Sequence, residues 1–210
     1  MLTIELLNKL ADRQNTWQAH SAKIHASIVV VFTVGLVQSL DRKLSAIVND
    51  NAALKSKVRR LQSLASETRQ PIEDNVPCKK GCSNCCHGQV QLMQAEAELI
   101  GDAIGRTPVR LKTDVRPTPA PALYKPDTPC PFLVNHLCSV YHVRPMACRN
   151  HVVLDIDNLL CSFENQNLAQ VGDSRSVPFP KLEAGPILET YRQMAIEKRQ
   201  AIADIRQFFP

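Results

Sequence analysis

The stretch CKKGCSNCCHG, residues 78–88, holds four cysteines within nine positions: Cys78, Cys82, Cys85 and Cys86. Gaps of two and three residues allow one turn of backbone to direct several sulfurs at a common centre, where backbone N–H groups offset the charge of the thiolates. Gly81 and Gly88 permit the tight turns that this geometry requires. The spacing therefore predicts a site for a soft metal ion or an iron–sulfur cluster, with a small loop-rich domain folded around it.

A second set of cysteines is spread over the later sequence: Cys130, Cys138, Cys148 and Cys161. A zinc ribbon would pair two C-x2-C knuckles, and this set has none. Iron–sulfur sites accept irregular late cysteines and commonly keep a proline beside one, as Pro131 follows Cys130. We therefore expect an iron–sulfur cluster, with [4Fe–4S] favoured and zinc as the alternative. Histidines near the cysteines are weaker ligand candidates: His87, His136, His142 and His151.

The positions of the cysteines predict reduced thiols rather than disulfides. All eight lie after residue 77, and bridging the neighbours Cys85 and Cys86 would strain the backbone. A reducing compartment fits better than an extracellular one. The expected location is the cytoplasm or the cytoplasmic face of a membrane, with a virion as a further setting.

The net charge of +5 is spread along the chain. Residues 1–77 carry ten Lys or Arg against seven Asp or Glu, and residues 78–210 carry fifteen against thirteen. A nucleic-acid-binding protein normally shows a concentrated basic field. The sequence predicts no nucleic-acid partner.

Apolar residues between Val37 and Leu61 recur at spacings of three and four, interrupted only at Asn51. Assigned to a and d positions, they cover about three and a half heptads, which predicts a coiled coil with a register-fixing amide at Asn51. We expect a homo-oligomer formed through residues 30–61. The alternative is that the stripe packs on the C-terminal domain of its own chain.

Upstream, the segment 24–40 reads IHASIVVVFTVGLVQSL. Only residues 26–37 are close to uninterrupted apolar, whereas a bilayer core needs about twenty apolar residues. The segment is thus either a membrane contact or part of an oligomer core. In both cases the N-terminal third determines where the protein is located or how it assembles, and it has no part in catalysis.

These patterns predict a mainly α protein: a long helical arm over residues 1–70, a linker over 71–77 marked by two prolines, and a metal-stapled domain over 78–210. Within that domain, residues 91–105 form a short helix that stops at Gly105. Seven prolines between residues 108 and 131 predict an extended loop. A last helix runs from about Pro186 to Phe208.

Taken together, the segments CKKGCSNCC, CPFLVNHLCSVYHVRPMACR, the cysteine at 161 and ADIRQFFP resemble the cysteine-cluster family of zinc- or iron-chelating domains of the CxxCxxCC type. The resemblance covers about residues 78–210 and leaves out the N-terminal arm. The resemblance implies a small bacterial or bacteriophage protein, and it extends to some longer relatives that are protein-modifying enzymes. The first gap here has three residues where the family pattern has two, so the ligands among the four clustered thiols stay open.

The resemblance makes all eight cysteines metal-site candidates and implies that Tyr141, Arg144 and Arg149 surround the ligands, the two arginines neutralising the cluster. The preferred function is a metal-binding protein with an iron–sulfur cluster in an oligomeric assembly. The alternatives are a zinc-stapled assembly protein, such as a virion or appendage component, and a membrane-anchored electron carrier or sensor. No Ser/His/Asp arrangement, P-loop or dinucleotide fingerprint occurs, so the prediction leans away from an enzyme.

Overall fold

The computed structural model describes residues 3–112, 128–182 and 185–210. It is mainly α, as the sequence predicts. The helices, in chain order, are α1 (Ile4–Gln14), α2 (Trp17–Val31), α3 (Val34–Asn49), α4 (Leu54–Arg69), α5 (Gln94–Ile104), α6 (Met146–Arg149), α7 (Phe163–Gln170), α8 (Pro186–Glu197) and α9 (Ile205–Phe208). The predicted proline-rich loop over 108–131 lies mostly outside the described residues.

Two small antiparallel sheets complete the described part. Strand β1 (Gln91–Met93) pairs with β4 (Ile202–Asp204), so residues more than one hundred positions apart meet. Strands β2 (Leu133–Val134) and β3 (Leu137–Cys138) form a hairpin. Its two turn residues, Asn135 and His136, have φ angles of 49° and 60°, as the two-residue hairpin loop requires.

The heptad stripe from Val37 to Leu61 is not one continuous helix. Helix α3 ends at Asn49 and α4 begins at Leu54, so Asn51 lies in an exposed break between them. The Asp50 carboxylate accepts a hydrogen bond from Ala52 N at 3.2 Å, a local contact that competes with helix continuation. Asn51 therefore does not occupy the a position of a coiled coil.

The stripe instead packs inside its own chain. Ile47, Val58 and Leu61 are buried in one core with residues of the later helices and β1: Met93, Leu99, Met146, Ile187, Tyr191 and Met194. Helix α4 touches α5, α6 and α8, which places it at the centre of this core. Burial of these side chains helps to hold α3 and α4 to the later helices.

A buried carboxylate ties the core elements together. Glu96 of α5 is fully buried and accepts hydrogen bonds from Gln62 Nε2 at 2.7 Å, Met146 N at 2.7 Å and the Tyr191 hydroxyl at 2.6 Å. The Tyr191 oxygen in turn accepts a hydrogen bond from Met93 N at 2.8 Å. Because α6 carries Cys148, this network also fixes one wall of the cysteine site.

The predicted helix over 91–105 begins later than expected, at Gln94, because the first three residues form β1. It ends as predicted at Gly105, whose φ of 68° is the left-handed conformation typical of a helix stop. The predicted last helix is split. It ends at Glu197, Arg199 takes a φ of 46°, and the chain then enters β4 to pair with β1.

Helix α1 is anchored to the turn at 155–157. Arg13 donates hydrogen bonds to the buried Asp155 carboxylate and, at 2.9 Å, to Asp157 Oδ2. Of the described helices, none alone is long and apolar enough to cross a membrane. Helices α2 and α3 together meet that criterion of length and composition, but they are bent by 75°.

Candidate metal centre

Local backbone geometry builds the first cysteine group. Gly81 has a φ of 98°, a left-handed conformation that glycine adopts at little cost. The turn around it lets Cys82 N donate to Lys79 O at 3.1 Å. The following 3-10 turn, Asn84–His87, carries Cys85 and Cys86.

The late cysteines reach the same place from separate elements. Cys138 ends strand β3, Cys148 lies on helix α6, and Cys161 lies in the turn before α7. Helix α6 is positioned by the buried Glu96 network, whereas β3 is held in a local hairpin with β2. Sequence spacing alone could not show which of these cysteines would meet the cluster.

One cavity of about 60 Å³ collects most of the thiols. Seven cysteines line it: Cys78, Cys82, Cys85, Cys86, Cys138, Cys148 and Cys161. The exception is Cys130, whose thiol is buried in the neighbouring hydrophobic core and whose backbone N–H donates to Cys86 O at 2.7 Å. A water molecule occupies roughly 10–15 Å³ on the same measure, so this cavity has more room than a single ion needs.

None of the eight cysteines forms a disulfide, and all of them lie within the described residues. The thiols of Cys82 and Cys161 are hydrogen-bonded to each other, as are those of Cys85 and Cys86. Cys78 Sγ accepts a hydrogen bond from Val153 N at 3.3 Å. The site is thus a reduced thiol cluster, not a disulfide knot.

Within the described parts of the chain, no three His, Cys, Asp or Glu side chains stand in the arrangement that holds a metal ion. The donor chemistry nevertheless fits a metal–thiolate centre, since seven thiols outside any disulfide border one small space. Closing them on a common centre requires rotation about side-chain torsions, which have several low-energy settings.

Hydrogen bonds between thiols give the two cysteines of each pair different pKa values. The Cys161 thiol donates to Cys82 and lowers the pKa of Cys82 to about 6. The Cys86 thiol donates to Cys85 and lowers the pKa of Cys85 in the same way. Burial raises the pKa of Cys148, and neighbouring thiolates raise it further. A cation among the sulfurs would relieve this repulsion.

Buried arginines surround the cavity. Arg69 and Arg144 line it, with only 5% and 8% of their surfaces exposed. The Arg144 guanidinium carbon lies 3.9 Å from the centroid of the Tyr141 ring, which also lines the cavity. The Nε atoms of Arg69 and Arg144 have no hydrogen-bond partner among the described residues.

Arg149 does not line this cavity but supports its wall. Its guanidinium donates to Arg144 O at 2.9 Å, to His142 O at 2.8 Å and to the Ser66 hydroxyl. It therefore fixes the loop that presents Arg144 rather than facing the sulfurs itself.

One histidine also borders the thiols. The partly buried His151 lines the cavity, and its buried Nε2 has no hydrogen-bond partner in the described structure. Burial lowers the pKa of His151 to about 4, with Lys181 and Arg69 adding to the effect. Because His151 lies near cysteines in the sequence, it is already a candidate ligand. Arg69 carries no such signal, because it belongs to a helix outside the cysteine-rich segment.

Comparison with known families agrees with this geometry. Residues 77–169 match the family model CxxCxxCC, described as "Putative zinc- or iron-chelating domain". The matched segment contains all eight cysteines and ends within α7, so it does not extend over 170–210. No curated protein and no solved structure matches the chain. Residues 77–169, less than half of the chain, are thus similar to the CxxCxxCC family of zinc- or iron-chelating cysteine-cluster domains, whose motif the sequence carries.

Proposed function

We propose that the domain binds an iron–sulfur cluster, with [4Fe–4S] favoured, in the cavity bordered by seven thiols. The observation that carries the proposal is that seven cysteines, none of them in a disulfide, share one cavity: four come from the 78–86 loop and three from later elements. One [4Fe–4S] cluster takes four thiolates. The number of thiols and the volume of the cavity both exceed what a single ion needs.

The buried arginines supply the charge argument. A buried guanidinium without a counter-charge costs free energy. For Arg69 the nearest carboxylate oxygen is Glu73 Oε1, 3.7 Å from Nε and half exposed. No described carboxylate pairs with Arg144 or Arg149 within 4 Å. A metal centre held by four thiolates is net negative and would balance these cations.

The chain's own residues then have distinct roles. The thiols bind the centre, Arg144 stabilises its negative charge, and Arg149 and Arg69 hold the backbone that presents the ligands. When bound, an iron–sulfur cluster supplies one-electron chemistry. Burial of Cys161 and the Tyr141–Arg144 stack restrict water around the sulfurs.

Zinc is the second candidate, and His151 favours it. A buried imidazole nitrogen without a partner beside thiolates is the donor that a mixed Cys/His zinc site uses. Cys78 and the Cys82–Cys161 pair would complete such a site. The same cavity could then hold zinc without sulfide.

Purification without oxygen, followed by visible absorption and analysis of iron, sulfide and zinc, separates the two candidates. We expect a coloured protein with about four iron and four sulfide per chain. A colourless protein with zinc and no sulfide would overturn the iron–sulfur proposal and support zinc. A protein without metal, even after reconstitution with iron and sulfide or with zinc, would contradict both.

Oligomerisation through residues 30–61 stays a prediction. The buried Ile47, Val58 and Leu61 already pack within the chain, so less of the stripe is free for a second copy. Sedimentation of the full chain measures its oligomeric state directly.

A further inference from the structure

Four valines are exposed where α2 meets α3. We call this surface, residues 29–37, the α2–α3 elbow. Val30 and Val34 are 78% and 74% exposed, and Val29 and Val37 are exposed beside them. Phe32 ends α2, and Thr33 starts α3 by accepting a hydrogen bond from Leu36 N at 3.3 Å. The helices therefore turn sharply here and present an apolar, convex tip.

An apolar cavity opens at the same surface. It has a volume of about 430 Å³, within the range of small-molecule sites, and its lining is mainly hydrophobic. Val29, Phe32 and Val37 form part of its wall, with Leu40 and Leu44 from α3 and Ile72 from the segment after α4. Because Val29 and Val37 belong to both features, the exposed tip and the cavity are continuous.

The sequence around the elbow has the charge pattern of a membrane-contacting segment. Residues 24–40 contain no Asp, Glu, Lys or Arg, whereas Lys23 precedes them and Asp41, Arg42 and Lys43 follow directly. The three basic residues are exposed, and Lys43 pairs with Glu67. Apolar side chains at such a tip enter the boundary between headgroups and acyl chains, while flanking basic residues stay with anionic headgroups.

We propose that the α2–α3 elbow docks on a lipid bilayer, with Val30 and Val34 in the acyl layer and the adjoining cavity receiving an acyl chain. Helices α2 and α3 together are apolar enough for contact with a bilayer. Because they are bent by 75°, partial insertion of the tip is favoured over a straight span. This function is separate from metal binding.

A second copy of the chain fits the elbow less well. A stable interface buries about 800 Å² on each partner. The four valines together expose the equivalent of only two to three whole valine side chains. A convex tip also buries little area against an identical tip, whereas a fluid bilayer adapts to its shape.

Vesicle binding by the full chain tests the proposal. The probes are vesicles of phosphatidylcholine alone and of phosphatidylcholine with phosphatidylglycerol, and binding is measured by co-sedimentation. We expect the wild-type chain to bind, more strongly to the anionic vesicles. Val30→Asp and Val34→Asp should each weaken binding about tenfold, because a carboxylate must then approach the acyl layer.

Matched controls carry the same change at equally exposed sites far from the elbow in sequence. Val171 and Ile196 are 70% and 65% exposed, and Val171→Asp and Ile196→Asp should bind vesicles like the wild type. All four variants alter exposed side chains, and circular dichroism verifies that they fold. Equal loss in elbow and control variants, or no vesicle binding by the wild type, would overturn the proposal.

A second readout locates the tip. In a Trp17→Phe background, tryptophan introduced by Val30→Trp should be quenched by lipids brominated on their acyl chains, whereas tryptophan introduced by Val171→Trp should not. Absence of quenching at position 30 contradicts insertion. If the wild type sediments as a dimer that Val34→Asp dissociates, the elbow is a self-association surface and the membrane proposal is wrong.

Discussion

The guanidinium of Arg69, the last residue of α4, donates a hydrogen bond to the carbonyl oxygen of Cys78, the first cysteine of the cluster. The same guanidinium donates to the carbonyl oxygens of Arg149 and His151, each at 3.2 Å. Two backbone segments around the thiols, at Cys78 and at residues 149–151, are therefore held by one side chain from a helix outside the cysteine-rich segment. Stability of the metal site depends on residues before it.

Arg69→Gln should lower the free energy of unfolding by about 3 kcal/mol, because buried carbonyl groups lose their donor. Urea unfolding of the full chain measures the change. Arg59→Gln is the control: it lies exposed on the same helix and should change stability by less than about 0.5 kcal/mol. Similar losses in the two variants would show that Arg69 has no special structural role.

Cys82→Ser and Cys85→Ser should each lose bound metal together with soluble yield, because ligation free energy in such a lobe is part of folding free energy. Cys130→Ser should keep the wild-type metal content, since its thiol does not line the cavity. Metal analysis after purification without oxygen decides the matter. Full metal in both cavity variants, or loss in Cys130→Ser alone, would mean that another set of cysteines binds.

Arg144→Gln should weaken metal retention about 10–100-fold, as expected when a residue beside the ligands is removed. The cause is loss of a buried positive charge next to the anionic centre. Competition with a chelator gives the affinity, and Arg144→Lys should recover part of it. Arg175→Gln serves as control, because Arg175 is exposed and pairs with Asp173. Unchanged retention in Arg144→Gln would remove the charge-balance argument.

Glu96 should make stability depend on pH. Burial raises the pKa of Glu96, so the folded chain keeps a proton that the unfolded chain, with an ordinary pKa of about 4.3, has lost. The free energy of unfolding should therefore fall as pH rises from about 4.3 through the folded-state pKa.

Urea unfolding at a series of pH values, compared between wild type and Glu96→Gln, measures this slope. The glutamine cannot ionise, so the decline with pH should be smaller in the variant. Glu98→Gln, on the same helix but partly exposed, should leave the slope as in the wild type. Parallel curves for wild type and Glu96→Gln would assign the pH dependence to other groups.

Local features of this fold could be predicted from the sequence. The Gly81 turn, the stop at Gly105 and the α character of the chain follow from short-range backbone preferences. The end of α8 at Glu197 could not be predicted, because it depends on the pairing of β4 with β1. The break at Asn51 has a local cause in the Asp50 carboxylate, but the heptad pattern predicted a continuous helix there.

The same distinction between local and tertiary determinants applies to the metal site. The motif identified the thiols, but their sharing of a cavity depends on a hairpin, a short helix and a buried carboxylate that spacing does not encode. Arg149 lies next to Cys148 in sequence yet supports the loop from behind, while Arg69, which precedes the first cysteine by nine residues, borders the sulfurs. Long-range hydrogen bonds, not local pattern, decide which cations face the centre.

Arg69 borders both the thiol cavity and the apolar cavity beneath the α2–α3 elbow. If each cavity takes its proposed occupant, the two binding equilibria share a side chain whose position both can bias. Thermodynamic reciprocity then applies: if metal binding changes the affinity for a bilayer by some factor, bilayer binding changes the affinity for the metal by the same factor.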